Sequence, residues 1–287
     1  MNHKNQKISL VIPVYNDADS LRLCLETIAG LDVKPFEVIV VDNNSTDGSG
    51  MVAAEYPFVR LVYEKKQGIE HARTCGFNAA KGDIIARIDA DTLIPGDWLD
   101  KINALFARDI QLMAVSGTAD YYDFILSPVA NVIDRWARRY LTARLGNRLF
   151  LFGANMAIKK SAWDKIKNEL CGCDGMHEDL DLGIHLQAKG MKVSYASDLV
   201  AGISSRRIGS GFRVFVKYCL ASPKTYKAHA LKRRFYMYQV ILVVLALYAP
   251  SKIVYESYDP KLKAFSLRYL YDARLRKPRI SPTINAG

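Results

Sequence analysis

Short apolar runs rich in β-branched residues alternate along most of the chain with segments whose apolar residues recur every three or four positions. The runs predict buried strands and the helical spacing predicts amphipathic helices. The predicted strands are 8–15, 37–42, 58–63, 83–89, 112–119 and 153–160. The first predicted helix follows its candidate caps Asp19 and Ser20, and the second follows Asp47. The remaining predicted helices cover 69–80, 98–106, 127–145 and 178–188. This alternation predicts an α/β fold with a mostly parallel central sheet flanked by helices.

Polar clusters follow three of these strands. Asn16 and Asp17 follow the first, residues 42–45 the second, and Asp89-Ala90-Asp91 the fourth. Ligands of parallel sheets bind beyond the carboxyl ends of the strands, so we expect one pocket to collect all three clusters. Two carboxylates one residue apart suit Mg²⁺ or Mn²⁺, which bind one or two carboxylates together with substrate phosphate oxygens. A D-x-D triplet alone is weak evidence, so its meaning depends on the rest of the chain.

Residues 201–287 break the alternation and concentrate the positive charge. They carry 17 basic and 3 acidic side chains, against 23 and 26 in residues 1–200. Such an excess is typical of a surface that meets anionic lipid or nucleic acid, unless it is a solvated tail. Its aromatic residues cluster on an apolar run instead of alternating with charges as stacking platforms for bases would, so we expect no nucleic acid.

The apolar run 240–249 is expected to end at Pro250. Counted from Phe235 it has about fifteen residues, short of the roughly twenty that a spanning helix needs. We therefore expect a helix that lies on a membrane surface, with a buried core or dimer helix as the alternative.

The cysteines indicate a reducing, cytosolic setting. There are five of them, without the spacing of a disulfide framework, and no secretory signal is recognised at the start. Cys171 and Cys173 form C-x-C instead of paired C-x-x-C motifs, so a zinc site is not expected.

Six segments, in this order, resemble a known family. They are IPVYN (12–16), VVDNNSTDGS (40–49), QGIEHARTCGFNAAKGD (67–83), IDADT (88–92), GANMAI (153–158) and HEDLDLGIHL (177–186). Together they resemble the family-2 inverting glycosyltransferases of the GT-A fold, the fold of nucleotide-diphospho-sugar transferases. The resemblance implies a metal-dependent, hexosyltransferase-type enzyme. Such an enzyme moves a sugar from a nucleotide-diphosphate sugar to an acceptor hydroxyl, here expected on a lipid-linked or cell-envelope glycan.

The resemblance also implies a set of donor-binding residues. They are Pro13, Tyr15, Asp42, Asn44, Gly68, Arg73, Asp89 and Ala90. Asp42 would accept hydrogen bonds from the base or ribose, although an Asx turn with the asparagines that follow it is the alternative. Gly68 would let the backbone approach the donor, and Arg73 would lie near the diphosphate or base.

The metal and the chemistry are assigned in the same way. Asp89 and Asp91 would hold Mn²⁺ or Mg²⁺, and His177 is a further possible ligand, although a lone histidine is more often a structural hydrogen-bond partner. Asp179 would be the general base, because inversion needs one group opposite the leaving nucleotide that takes the proton of the acceptor. The alternative is that this acidic cluster only complements the dipole of the helix it opens.

Gly153, Asn155 and Glu178 are expected on the acceptor side. His185 stands where the family often has arginine, so no role is carried over to it. The assignments give a catalytic domain over 1–202, with a donor half to about residue 92 and an acceptor half beyond it, and a basic helical tail over 203–287. We expect the tail to place the protein, peripheral or monotopic, on the cytoplasmic face of the cell membrane.

Two other functions are open to the same residues. A phosphate-transferring enzyme that uses Asp89 would need D-x-D-x-T, but Thr92 comes one position early. A catalytically silent nucleotide-sugar-binding scaffold at the membrane is the second alternative. The presence of Asp89, Asp91 and Asp179 argues against it.

Overall fold

A computed structural model describes residues 6–145, 150–172, 175–259, 262, 264–266 and 268–271 of the 287-residue chain. The chain divides into two compact units. The first comprises Met1–Ala119, Leu149–Gly172 and Glu178–Gly202, and the second Asp120–Arg148, Cys173–His177 and Ile203–Gly287. The second unit thus contains the whole tail expected from residue 203 onward and, in addition, two segments from the domain expected over 1–202.

The first unit is built on an eight-stranded sheet. Its strands are β1 (Ile8–Val14), β2 (Glu37–Asp42), β3 (Val59–Tyr63), β4 (Ile84–Arg87), β5 (Thr92–Leu93), β6 (Leu112–Tyr121), β7 (Met156–Lys159) and β8 (Lys192–Ile203). They lie in the order β3-β2-β1-β4-β7-β6-β8-β5. β1 is parallel to β2 and β4, and β2 to β3, whereas β7 is antiparallel to β4 and β6. A further short pair, β9 (Tyr258–Asp259) and β10 (Ala264–Phe265), lies in the second unit.

Eleven helices occur in the described chain. They are α1 (Ala18–Ala29), α2 (Ser49–Ala54), α3 (Ile69–Ala79), α4 (Trp98–Arg108), α5 (Ser127–Arg144), α6 (Lys160–Ile166), α7 (Glu178–Ala188), α8 (Arg206–Gly209), α9 (Phe212–Ala228), α10 (Phe235–Ser257) and α11 (Arg268–Tyr271). The predicted α/β fold, with helices between the strands of a mostly parallel sheet, is confirmed. Helices α5 and α8 to α11 belong to the second unit.

The start of α1 differs from the expectation. The helix begins at Ala18, so Asp19 and Ser20 lie inside its first turn and do not cap it. The carboxylate of Asp47, from the loop after β2, instead accepts the N–H of Ala18 at 2.9 Å. A residue distant in sequence therefore satisfies an N–H that has no partner within the helix.

Apolar side chains cover both faces of the sheet. Leu10 and Ile12 of β1 pack with Leu25 of α1 on one face. Val11 faces the other side, where it packs with Phe77 of α3. Successive residues of a strand point to opposite faces, so a strand covered on both sides must be apolar at every position. This explains why β1 is recognisable as a run in which Ser9 is the one polar residue.

The second unit contains the apolar helix α10, which follows a 3₁₀ turn at Lys232–Arg234. The helix continues through Pro250 to Ser257, so the expectation that Pro250 ends it is wrong. A proline inside a helix costs about 3 kcal/mol because a backbone hydrogen bond is lost. The helical turns that follow the proline include Tyr255, which is buried beside Phe124 with 6.3 Å between the ring centroids. This packing stabilises the end of the helix.

This continuation changes the length of the apolar element. The stretch Lys232–Ser257 has 26 residues, and among the helices of the described chain it alone is long and apolar enough to cross a membrane. A share of 22% of its most apolar window is buried within the protein, so most of that window is accessible. The expectation that the helix is too short to span a bilayer is therefore wrong.

Asn155 links the middle of the sheet to α4. It lies just before β7, not within the strand predicted over 153–160, and is fully buried. Its Nδ2 donates to the carbonyls of Thr118 at 3.0 Å and Leu199 at 2.8 Å, and its Oδ1 accepts the indole N–H of Trp98 at 3.0 Å. The amide thus joins β6, β8 and α4 at one point.

We expect Asn155→Ala to destabilise the first unit by about 3 kcal/mol or more, because three buried polar groups lose their partner at about 1–3 kcal/mol each. The measurement is urea unfolding followed by tryptophan fluorescence. Asn78→Ala is a matched control, since Asn78 accepts the indole N–H of Trp163 at 2.9 Å but is exposed. Equal losses of stability in the two variants would show that burial does not matter here.

Candidate functional site

Asparagine side chains organise the loops at the carboxyl ends of β1, β2 and β3. Asn43 is buried, and its Nδ2 donates to the carbonyls of Glu64 at 2.9 Å and Lys66 at 2.8 Å. Its Oδ1 accepts the N–H of Gly68 at 2.8 Å. One side chain therefore connects the end of β2 to the segment that leads into α3.

The loops after β1 and β2 are joined in the same way. Asn16 Oδ1 accepts the N–H of Thr46 at 2.7 Å. Asn16 and Asn44 have φ angles of 49° and 63°, the left-handed region that asparagine tolerates better than most residues. Because β1 also pairs with β4, the three polar clusters lie at the carboxyl ends of neighbouring parallel strands, as the sequence predicted.

The predicted nucleoside-pocket residues lie at this edge. Pro13 is buried in β1 and Tyr15, directly after the strand, is 54% exposed. Asp42 is buried at the end of β2, and its Oδ1 accepts the N–H of Ser45 at 2.9 Å. This bond caps the loop, as the alternative expected, but it reaches Ser45 instead of Asn43 or Asn44. The Oδ2 of Asp42 faces Gly50, where a Cβ would approach within 2.7 Å. One carboxylate oxygen thus shapes the loop.

Gly68 and Arg73 are positioned by the start of α3. Gly68 has a φ of 142°, which an L-residue rarely adopts. Arg73 is 2% exposed, and its Nη1 donates to the backbone carbonyl of Glu178 at 3.1 Å while its guanidinium lies over the ring of Trp163. Burial lowers the pKa of Arg73, against the opposing charge of Glu178. Arg73 therefore supports the start of α7 from within the protein.

Arg87 occupies the centre of the site, at the last position of β4. Its guanidinium donates to the carboxylate of Glu178 and, at 3.0 Å, to Oδ1 of Asp89. Gly153 packs directly against it, since a Cβ at residue 153 would lie 2.7 Å from the guanidinium carbon. The absence of a side chain at Gly153 makes room for the ion pair that connects β4 to α7.

Charge and burial oppose each other in this ion pair. Arg87 is 2% exposed, and its desolvation favours the neutral form, but the carboxylates of Glu178 and Asp89 raise the pKa of Arg87 above its ordinary value. Desolvation likewise acts to raise the pKa of Glu178, but Arg87 and Arg73 outweigh it, and the pKa of Glu178 is lowered. Both groups are therefore charged at neutral pH, and the Glu178 carboxylate is already engaged by Arg87.

The candidate metal ligands follow in the turn after β4. The backbone N–H of Thr92 donates to the carbonyl of Asp89 at 3.0 Å, and the N–H of Asp89 donates to the Thr92 hydroxyl at 3.2 Å, which closes the turn. The side chain of Asp89 is 36% exposed, whereas Asp91 and Ala90 are buried. Two carboxylates supply only hard oxygen donors, which fits Mg²⁺ or Mn²⁺.

Asp179 lies in the first turn of α7, beside Gly153. Its Oδ2 accepts the N–H of Gly153 at 2.8 Å and its Oδ1 accepts the N–H of Leu180 at 2.7 Å. Asp179 is half-buried, and the side chain of the neighbouring Glu178 is 11% exposed. The first unit therefore brings Asp89, Asp179, Gly153 and Glu178 together around Arg87.

Two predicted residues lie elsewhere. Asn155 is fully buried, and all of its side-chain polar atoms bond within the core. His177 belongs to the second unit, where its Nε2 lies 3.1 Å from the carbonyl of Tyr218 and its N–H donates to Thr225. These contacts fit the structural role that was the alternative to metal binding.

Arg87 was not among the residues predicted from the sequence. The signal was present, because an arginine within the apolar segment DIIARID is a charge in a predicted buried strand. Such a charge requires a partner of opposite sign. The partner Glu178 is 91 residues away in sequence, so only the fold identifies it.

We expect Arg87→Met to lower the free energy of unfolding by about 3–5 kcal/mol, because it leaves the Glu178 carboxylate buried without its main partner. Arg87→Met combined with Glu178→Met should recover part of this loss, as measured by urea unfolding. Arg22→Met is the control, since Arg22 pairs with Glu55 on the surface, and no measurable change is expected there. A double variant as unstable as the sum of the single variants would rule out the coupling.

Comparison with known proteins adds the family. The sequence profile of "Glycosyl transferase family 2" matches residues 9–166. The chain is 31% identical over 126 residues to the glycosyltransferase GlyA of Streptococcus pneumoniae, covering 42% of this chain and 17% of that protein. It is 32% identical over 143 residues to the undecaprenyl-phosphate 4-deoxy-4-formamido-L-arabinose transferase of Serratia proteamaculans, covering 47% and 40%. The chain thus spans well under two thirds of either relative.

The fold also matches a solved structure. The mannosyltransferase PcManGT of Pyrobaculum calidifontis superposes with a TM-score of 0.55 at 20% sequence identity, covering 93% of this chain and 78% of that one. At this identity the likeness concerns the fold, which is GT-A. With the profile match over more than half of its length, the chain belongs to glycosyl transferase family 2.

Proposed function

We propose that this protein transfers a sugar from a nucleotide-diphosphate sugar to an acceptor hydroxyl, with inversion at the anomeric carbon. The observation that carries the proposal is the arrangement around Arg87, which holds the D-x-D carboxylate Asp89 and the first turn of α7 together. Metal ligand and general base have to face the same donor, and a shared buried partner keeps the elements that bear them in fixed relation.

A divalent cation fits the residues after β4. Asp89 has an accessible carboxylate, one oxygen of which accepts a hydrogen bond from Arg87. Asp91 adds a second pair of carboxylate oxygen atoms. In support, the Pyrobaculum mannosyltransferase was solved with GDP-Man and Mn²⁺. When bound by Asp89 and Asp91, Mn²⁺ or Mg²⁺ would neutralise charge on the departing nucleoside diphosphate.

The residues of the first three strands are proposed to bind the nucleoside. Tyr15 offers an exposed ring, and Asp42 offers the carboxylate oxygen that faces Gly50. Asn44 and Gly68 shape the loops on either side through their backbone conformation. The proposed donor site therefore runs from the carboxyl ends of β1 and β2 to the turn after β4.

Asp179 is proposed as the general base. Its carboxylate is half-buried, and the N–H groups of Gly153 and Leu180 fix its direction. It would accept the proton of the acceptor hydroxyl as that oxygen attacks the anomeric carbon. Glu178 cannot share this role, because its carboxylate is engaged by Arg87.

The acceptor is proposed to be a lipid-linked or cell-envelope glycan. The name of the Serratia relative supports this, since it specifies undecaprenyl phosphate. A lipid-linked acceptor requires the enzyme to work at a membrane, on the cytoplasmic side where nucleotide sugars are expected. The second unit is therefore proposed as the membrane-contacting part.

The surface of the second unit has the chemistry for that contact. Met237, Val240 and Ile241 form the buried side of α10, yet Phe235 and Leu242 on its accessible side are 63% and 68% exposed. A helix that is apolar on all sides is normally buried or in lipid. Its N-terminal end follows the basic turn Lys232–Arg234, which suits anionic head groups.

We expect Asp179→Asn to retain donor binding and to lose turnover. Thermal shift with Mn²⁺ and UDP-, GDP- or dTDP-sugars should match that of the unmodified protein. Hydrolysis of the stabilising donor, measured as nucleoside diphosphate released, should fall by about a hundredfold or more, the effect of losing a general base.

Asp198→Asn is the control, because Asp198 is an exposed aspartate of β8. Continued hydrolysis by Asp179→Asn would assign the base to another residue. A metal-dependent donor shift without hydrolysis in the unmodified protein would favour the silent scaffold. The absence of any metal-dependent donor response would refute the proposed function.

We expect Leu242→Glu to reduce binding to vesicles of phosphatidylglycerol and phosphatidylethanolamine by about tenfold or more, because a charge in the apolar layer costs about 3 kcal/mol. Vesicle flotation of the full chain measures this. Ile110→Glu is the matched control, since Ile110 is 76% exposed but lies in the first unit. Equal flotation of both variants and the unmodified protein would contradict the assignment of α10.

A further inference from the structure

Three side chains of different chemistry converge beside α7, apart from the residues around Arg87. Cys171 Sγ lies 3.6 Å from Nε2 of His185, and the same Nε2 lies 3.5 Å from Oδ1 of Asp181. All of their ligand atoms lie within 4.8 Å of one another. Asp181 and His185 are four residues apart and share one face of the helix, while Cys171 approaches from the segment that precedes it.

The contacts of His185 differ from those of a catalytic cysteine–histidine pair. In a cysteine–histidine pair built for nucleophilic catalysis, one ring nitrogen faces the sulfur and the other faces the orienting carboxylate. Here a single nitrogen of His185 faces both the thiol of Cys171 and the carboxylate of Asp181. The carboxylate distance also exceeds that of a normal N–H···O hydrogen bond. The thiol and the carboxylate thus both lie close to the same ring nitrogen, as ligands of one cation do.

The separations fit a zinc ion. Zinc binds cysteine sulfur at about 2.3 Å, and histidine nitrogen and carboxylate oxygen at about 2.0–2.2 Å, in tetrahedral geometry. Such bonds place sulfur and nitrogen about 3.5 Å apart, and nitrogen and oxygen about 3.4 Å apart. The corresponding distances here are 3.6 and 3.5 Å. Two of the three pairs of ligand atoms therefore stand at the spacing expected in a zinc tetrahedron, and the third pair, Cys171 Sγ and a carboxylate oxygen of Asp181, lies within 4.8 Å.

The second oxygen of Asp181 provides independent support. Asp181 is 2% exposed, and its Oδ2 accepts the backbone N–H of Cys171 at 3.2 Å. The same carboxylate thus fixes the backbone of one ligand while its Oδ1 faces another. Hydrogen bonds of this kind, which orient the residues that bind a metal, accompany metal sites in general. A buried carboxylate is also costly unless it is paired or binds a metal.

We propose that Cys171, Asp181 and His185 bind a zinc ion that fastens the segment before α7 to the helix. A thiolate, an imidazole and a carboxylate form a softer set than the two carboxylates Asp89 and Asp91, so the two sites select different metals. The C-x-C spacing gave no reason to expect zinc, and Cys173 lies outside the described residues.

The first test is metal content and affinity. The full chain, purified without chelators, should contain about one zinc per chain by mass spectrometry, as one three-ligand site requires. In competition with a colorimetric zinc chelator, Cys171→Ser and His185→Gln should each weaken zinc binding by more than the 10- to 100-fold typical of losing an outer-shell partner. Circular dichroism establishes that both variants are folded.

Matched controls come from α3. Cys75→Ser and His71→Gln remove a half-buried cysteine and histidine of the same unit, and zinc affinity should not change. Asp91→Asn should also retain zinc, because its site is separate. These readouts do not require sugar transfer, so failure of the zinc site and failure of the proposed function are distinguishable.

Cobalt substitution tests the ligand set directly. Co²⁺ in the unmodified chain should give a thiolate-to-cobalt charge-transfer band together with the intense visible bands of tetrahedral coordination. Cys171→Ser should lose the charge-transfer band. A cobalt spectrum without a thiolate band, or zinc affinity in the unmodified chain no tighter than in Cys171→Ser and His185→Gln, would overturn the proposal.

Discussion

The charged guanidinium of Arg87, buried at the end of a central strand, is the constraint on which the first unit depends. A buried cation is tolerable only where carboxylates surround it, and Glu178 and Asp89 meet that need from α7 and from the turn after β4. The requirement extends to Gly153, because any side chain there would collide with the guanidinium. The ion pairs of Arg87 thus fix the two segments that bear Asp89 and Asp179.

Local patterns were sufficient for most of the fold of the first unit. β1 and β2 are covered on both faces, so their sequences are mostly apolar and readily recognised. β8 was missed because its burial is irregular, with exposed Lys192 and Asp198 among buried residues, so it gives neither a continuous run nor a strict alternation. The turn after β4 was placed correctly, because the motif follows directly on a recognisable strand.

The candidate site was predictable only in part, for a physical reason. Motifs name residues that are close in sequence, whereas a buried ion pair or a buried amide is defined by partners on distant elements. The motif indicated the acceptor side for Glu178, and only the fold shows that Glu178 pairs with Arg87. Asn155 resembled a ligand-facing amide, but it satisfies carbonyls of two strands. Similarly, Pro250 predicted the end of a helix, but the helix continues beyond it, where Tyr255 packs beside Phe124.

α7 is the element that the proposed general base and the proposed zinc site have in common. Its first turn carries Glu178 and Asp179, and its next turns carry Asp181 and His185. A general base must keep its position within a fraction of an ångström. The start of a helix is prone to fraying unless its first turn is held by other contacts. Arg87 holds that turn from β4, and a zinc ion on Asp181 and His185 would hold the same helix one turn further on, through Cys171. Two fixed points on one helix restrict its rotation, which a single ion pair cannot do.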